Sequence, residues 1–448
     1  MAEIRTVVRH RLENIRGDKV YFCELVVDGV KLFTRFGQTL GANPTRIYER
    51  SGERFATREA ALQAVEVFLA GRGKSYEQNH RTEELRPASA DQLAPASSNP
   101  ALEAEVLAGR AGAAAVFADW LQTHGDSRGE LAALFQANKT DEAERWIADD
   151  ASRLFGELDV KLDSELRDLA WTDGFVSGAS LRRATGDSRT DLAALTRDFL
   201  ALPASRFVIA LRFGLAGFDS DNDWTETMRA VAGSSQAPQL RSLRFDDYQP
   251  EDCEVSWTPF GDFSPFWRDL PALEEFRLRS GAGGTLGDVE LPNLKTFVRE
   301  SGGLGEPEIR SILDAKWPRL EHLAIWFGSA NYGAAGTAGQ LAELLWGRAP
   351  ETLTHLGLVN CEFTPQLIEP LARSPLLRRL RSLDLSKGVL GDGDVDAVVR
   401  HADAFRHLER FDLSENLFED SSAIRAALAN VVLDDQRDPT YRYAAVGE

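Results

Sequence analysis

Six phrases in the second half of the chain decide how it is read: LRSLRF (240–245), LEEFRL (273–278), LEHLAI (320–325), LTHLGL (353–358), LRSLDL (380–385) and LERFDL (408–413). They share one form, an apolar residue, two others, then apolar-x-apolar, which FVIALRF (207–213) and LKTFVR (294–299) repeat more loosely. Alternation over so short a run marks a strand, whose side chains point to opposite faces in turn. The core residues Leu211, Leu243, Phe276, Phe297, Leu323, Leu356, Leu383 and Phe411 are separated by 32, 33, 21, 26, 33, 27 and 28 residues. Each interval leaves room for a turn and a return arc. GDGDVDAVVRHADAF (391–405) and EDSSAIRAALANVV (419–432) have helical spacing there, with Val395, Val398 and Val399 or Ile424, Ala427 and Leu428 inward. A unit of that size buries its apolar face only by stacking on copies of itself, so residues 165–430 are expected to form one solenoid.

The phrase resembles the leucine-rich repeat of ribonuclease-inhibitor-like proteins, which implies an α/β horseshoe with strands lining its concave face. Cys361 in LGLVNC and Asn416 in LDLSEN stand where a side chain satisfies buried backbone groups at the turn, and Gly281, Gly302, Gly328 and Gly388 stand there in other copies. Strand alternation turns the residues flanking the core positions to solvent. These are Arg212, Arg244, Asp246, Arg277, Arg279, Glu300, His322, Trp326, His355, Asp384, Ser386, Arg410, Asp412 and Ser414. The ladder is sorted: arginines first, then Trp326 with His322 and His355, then Asp and Ser. Arg and Trp dominate binding hot spots, so a protein or peptide partner is expected here, acidic toward the first repeats.

Residues 1–80 have another character. Val20, Phe22, Leu25 and Val27 form a strand-like run, joined through Asp28-Gly29 to a second at Lys31–Phe36, and a third lies near Arg46–Arg50. Thr57 is a plausible N-cap for a helix carrying Ala61, Leu62, Val65, Phe68 and Leu69 up to Gly71. YFCELVVDGVKLFTRFGQTLG (21–41) and FATREAALQAVEVFLAGRGKSY (55–76) resemble the WGR domain of nuclear poly(ADP-ribose) polymerases and of bacterial regulators similar to the molybdate metabolism regulator. That resemblance implies a small α+β domain engaging DNA ends through the Trp and Arg of its signature. This chain has Phe36-Gly37-Gln38 in that place. Phe36 retains a stacking face while Gln38 has no charge, leaving Arg35, Arg46, Arg50 and Arg54 as the nearby cations for DNA or RNA.

Residues 81–98, RTEELRPASADQLAPASS, read as a linker. Asn99-Pro100 then opens a helical unit over 99–164, with Asp126 capping a later helix. Its ADWLQTHGDSRGEL (118–131) resembles the short repeat-companion domain that precedes leucine-rich repeats in bacterial proteins. Asp119, His124, Asp126 and Glu130 cluster there, but capping and packing account for them better than a metal does. Residues 431–448 read as a loose tail.

Composition narrows the function. The chain of 448 residues is 43% hydrophobic and 27% charged, which excludes global disorder and a single small domain. No apolar run reaches bilayer length and the opening lacks a secretory h-region, so a cytoplasmic location without membrane contact is expected. Three widely spaced cysteines support no disulfide framework. The net charge of −19 is uneven: residues 1–80 hold 13 basic against 10 acidic side chains, leaving 38 against 60 for the rest. Nucleic acid is therefore expected only at the head. No phosphate loop, nucleophile elbow or zincin motif occurs. The expectation is a non-enzymatic scaffold or adaptor without cofactor. The alternative is a nucleic-acid-binding regulator whose head grips DNA or RNA while the repeats recruit a protein.

Overall fold

Antiparallel pairing dominates the N-terminal part of the computed structural model, which describes residues 4–17, 19–40, 46–87, 96–183 and 190–440. Strands β1 (Ile4–Arg16), β2 (Lys19–Asp28), β3 (Lys31–Leu40), β4 (Arg46–Arg54) and β5 (Gln78–Pro87) form one sheet in the order β4-β3-β2-β1-β5. The Asp28-Gly29 turn closes the β2–β3 hairpin, with Gly29 at φ 59°, where a side chain would be strained. Helix α1 (Arg58–Ala70) starts at Thr57, whose hydroxyl accepts the Ala60 N–H at 3.2 Å, and ends at Gly71. It lays Ala61 and Val65 on Val8, Leu12, Cys23, Leu25 and Val27. The opposite face packs Val7, Val26 and Phe33 against Val160.

Two of these strands are absent from the sequence reading. In β1, Val7 and Val8 are neighbours on opposite faces yet both buried, because the sheet is covered on both sides and the run loses its period-2 contrast. Strand β5 occupies the first part of the stretch read as a linker. It pairs only with β1, and a polar run such as HRTEEL (80–85) suits an edge.

Helices α2 (Pro100–Leu107), α3 (Ala113–Thr123), α4 (Ser127–Gln136) and α5 (Thr140–Asp150) follow, then a hairpin of β6 (Leu166–Thr172) and β7 (Phe175–Leu181). Asn99 caps α2 and Asp126 caps α4 as their positions suggest. Asp126 also takes the Ser97 N–H and pairs with Arg128. Burial alone would raise its pKa, but the Arg128 hydrogen bonds and charge together with the Ser97 N–H outweigh that and hold it below its ordinary value. Glu130 pairs with Arg153 and the His124 ring stacks on Trp120, so Asp126, Glu130 and His124 of the acidic–histidine cluster have structural partners. The N-terminal sheet is tied to this helical part by a buried ion pair, Lys31 Nζ to both Asp159 carboxylate oxygens at 2.8 and 2.9 Å.

By contact density the chain divides into Met1–Thr190 with Leu195–Val208, and Asp191–Ala194 with Ile209–Glu448. The second unit is a large sheet: β8 (Ala210–Phe213), β9 (Ser242–Phe245), β11 (Glu275–Arg279), β13 (Thr296–Glu300), β14 (His322–Gly328), β15 (His355–Cys361), β16 (Ser382–Asp384), β17 (Arg410–Asp412) and β18 (Val431–Val432). Each pairs in parallel with the next; β10 (Gly261–Asp262) and β12 (Gly284–Thr285) make a separate parallel pair. All eight repeat phrases are strands, and their core residues fall in register, Leu211 with Leu243, Leu243 with Phe276, and so on to Leu383 with Phe411. The crossovers pack on that apolar face: Trp267 on Phe276 at 5.2 Å, Trp317 on Phe297 at 4.8 Å, Phe405 on Phe411 at 4.6 Å between ring centroids.

The corners repeat as well. Asn360, Lys387 and Glu415, each two residues past the last core position of its strand, adopt φ of 51°, 59° and 52°. Next along, buried Asn416 donates to the carbonyls of Leu385, Leu413 and Ser414 and accepts the Leu390 N–H, the role expected of it. Glycine stands at other corners because successive loops touch there. A Cβ on Gly328 would lie 1.9 Å from the Gly302 carbonyl oxygen. The stretch read as a loose tail is instead structured through residue 440. β18 extends the sheet, Leu433 is buried, and Arg437 donates to the carbonyl oxygens of Glu415 and Gly388.

Candidate functional site

One face of the parallel sheet carries the crossovers; the other carries the side chains that the repeat phrase turns outward. Pairing sets these in rows. The first row runs through Glu275, Thr296, His322, His355 and Ser382, the middle row through Arg212, Arg244, Arg277, Val298, Ala324, Gly357, Asp384 and Asp412, and in the third Arg279 lies beside Glu300 and Trp326 beside Val359. The sorting read from the sequence is the sorting along the sheet.

The arginines are not free charges. Arg212 pairs with Asp246 at 2.6 Å and Asp247 at 3.2 Å, Arg244 with Asp246 at 2.7 Å, Arg277 with Glu275 at 2.5 Å and Arg279 with Glu300 at 2.7 Å. Burial pushes the Asp246 carboxyl up, but hydrogen bonds from Arg212 and Arg244 prevail and hold it below its ordinary range. Glu275 is lowered in the same way, with burial opposed by Arg277 and Ser242. Four cations thus face four carboxylates. These four arginines therefore present no unbalanced positive charge to an acidic partner, the occupant expected toward the first repeats.

The centre differs. His322 and His355 stack at 5.8 Å with 17° between their planes, side by side as their equivalent positions implied. Burial, then the neighbouring His355, then Arg277 lower the His322 pKa. Trp326 is half-buried in the third row, with Lys387 Nζ 5.6 Å from its ring centroid. Between the histidines and Trp326 the middle row offers only Val298, Ala324 and Gly357, a shallow floor between taller side chains.

At the far end, Asp384 and Asp412 are in register. Asp412 accepts from Arg410 at 2.6 and 3.2 Å and from the Ser414 N–H at 2.9 Å. Asp384 Oδ1 accepts the Ser386 N–H at 2.8 Å. Burial foremost, and the Asp412 charge with it, raise the Asp384 pKa.

The sequence reading missed Glu275 and Asp247 as counter-charges. The rule that admitted His322 also admits Glu275, which holds the same place in its repeat. It missed Arg299 as well. This residue sits where other strands put Leu, Ile or Phe, and it is wholly buried. Its Nε and Nη2 reach Glu308 at 2.9 and 3.3 Å, and its other N–H groups go to the carbonyls of Ser280, Gly281 and Glu300 at 2.6–3.0 Å. Every donor of the guanidinium is engaged.

At the head, Arg35 is buried, with Nη1 3.1 Å from Glu24 Oε2, and Glu24 is also bound by Arg9. Phe36 packs against the core beneath α1. Gln38 is half-buried in β3, opposite Tyr21 and Arg46. Arg46 and Arg50 lie in β4, with their side chains outside the described residues. The arginine nearest the altered signature is therefore committed to the fold, while the aromatic beside it is half-buried.

No protein-family model matches the chain, and no curated protein matches it. Among solved structures, it is similar to a protein from Bacteroides fragilis, at 17% identity over 98% of this chain and 99% of that one, with a TM-score of 0.53. A likeness at that identity bears on fold alone. Among the described residues no helix is long and apolar enough to cross a membrane.

Proposed function

We propose that the second unit is a leucine-rich-repeat horseshoe, preceded by a WGR-like head and a repeat-companion helical unit, and that the protein is a non-enzymatic scaffold or adaptor. A protein or peptide segment docks on the outward rows of the sheet. The observation that carries this reading is the arrangement of that face. Trp326, the stacked His322–His355 pair and the low floor of Val298, Ala324 and Gly357 form a strand-built platform on the face away from the crossovers. Aromatic anchors beside a shallow, preorganised floor favour extended segments. The nucleic-acid alternative draws less support, because Arg35 is buried and paired and Phe36 is partly buried against the core.

The test is co-purification with the intact chain, compared with a Trp326→Ala/His355→Ala variant and with Phe36→Ala. The reading expects a discrete co-eluting protein lost in the first variant and retained in the second. Equal recovery with all three proteins refutes it. Salt-sensitive capture of nucleic acid abolished only by Phe36→Ala supports the regulator instead.

A further inference from the structure

Charge compensation along the outward face is uneven, and the uneven end says what the platform takes. Arg212, Arg244, Arg277 and Arg279 are matched by carboxylates. Toward the other end Asp412 is matched by Arg410, and Glu415 by Lys387. Among the described residues Asp384 forms no ion pair; its partners are the Ser386 N–H, which donates to Oδ1, and the Ser386 side chain. On one side of it in the middle row lies Asp412, and on the other Gly357, with Ala324 beyond. Two successive positions with one side-chain carbon between them leave a notch that opens on the Asp384 carboxylate. His355 stands beside this notch in the first row, and Val359 and Trp326 in the third.

We infer that this notch receives the cationic side chain of an extended protein segment, a lysine or arginine whose charge meets Asp384 and whose methylene stem lies over Gly357 and Ala324. The inference rests on the docking reading above and names its chemistry. Charge complementarity selects the occupant: the arginine end is already neutral, whereas the Asp384–Asp412 end holds one more carboxylate than its cations match. Lys387 already lies over the Trp326 ring and is paired with Glu415, so an incoming cation is directed to Asp384 while an apolar residue beside it contacts Trp326.

The experiment is selection of a phage-displayed library of random linear peptides on the intact chain. The enriched peptides are then synthesised and titrated against wild type, Asp384→Asn and Trp326→Ala by fluorescence anisotropy. Asn keeps the acceptor for the Ser386 N–H, so circular dichroism should show that variant folded. The expected result is enrichment of Lys or Arg next to an apolar residue, with binding weakened about tenfold or more by Asp384→Asn and also lost in Trp326→Ala. Peptides that lose binding in Trp326→Ala but share no basic residue, or bind Asp384→Asn as well as wild type, overturn the cation site and leave the docking reading standing. Enriched peptides indifferent to both variants, or no enrichment at all, overturn the docking reading and the cation site with it.

Discussion

Replacing Arg299 with methionine keeps an unbranched chain of similar reach and removes every hydrogen bond that the guanidinium makes. Glu308, 4% exposed, is then an unpaired buried carboxylate. Removing one member of a buried pair costs about 3–5 kcal/mol. The carbonyls lose donors too, though unequally: Glu300 keeps the Ser280 N–H and Gly281 keeps the Ser280 hydroxyl, while the Ser280 carbonyl loses its guanidinium donor. One orphaned acceptor adds about 1–3 kcal/mol, so the expected loss is about 4–8 kcal/mol. Urea unfolding followed by circular dichroism measures it, with hydrogen exchange at β11 and β13 locating the damage between neighbouring repeats. The double variant Arg299→Met/Glu308→Leu removes the stranded charge and should recover at least half of the loss. A single variant within about 1 kcal/mol of wild type refutes the reasoning, since surface-like changes are that small. So does a double variant no more stable than the single, which would place the cost in packing.

Asp384→Asn should raise the melting temperature, because it relieves the burial and Asp412 repulsion that lift the carboxyl's pKa; scanning calorimetry reads the shift, and a lowered midpoint contradicts it. Asp246 behaves oppositely. Its pKa is depressed below 3.8 in the fold, so its contribution is present above that value and lost as pH falls through the folded pKa. The stability gap between wild type and Asp246→Asn should therefore be full at pH 7 and shrink toward pH 2 in urea titrations. Asp159→Ala leaves the Lys31 ammonium buried and unpaired, and should cost about 3–5 kcal/mol and give the N-terminal sheet its own thermal transition. Asn416→Ala strips the corner of its amide and should cost about 3 kcal/mol by the same urea assay.

Local rules carried the sequence reading where one residue's neighbours along the chain decide its fate. Thr57, Asn99 and Asp126 cap helices because a cap is a contact over two or three positions. The repeat phrase gave eight strands and their register because it marks both core positions of each strand. The reading failed where a partner lies a whole repeat away. Arg212 and Arg279 are paired across 34 and 21 residues, so a ladder that looked positive is balanced. Arg299 broke the phrase at an apolar position, and only Glu308 and three carbonyls brought together by folding make it a structural residue. Strand β5 was invisible because an edge needs no apolar alternation. Arg437 likewise holds a corner that is assembled only after the array has stacked.

The central claim is that the outward face of the parallel sheet, and not its crossover side, is where a partner segment sits. Photo-cross-linking from a benzoylphenylalanine placed at Trp326, compared with one at the exposed Trp346 of the crossover, tests it directly with an enriched peptide on the intact chain. The account predicts a peptide adduct from position 326 and none from 346. Adducts of equal yield from both positions, or from 346 alone, contradict it.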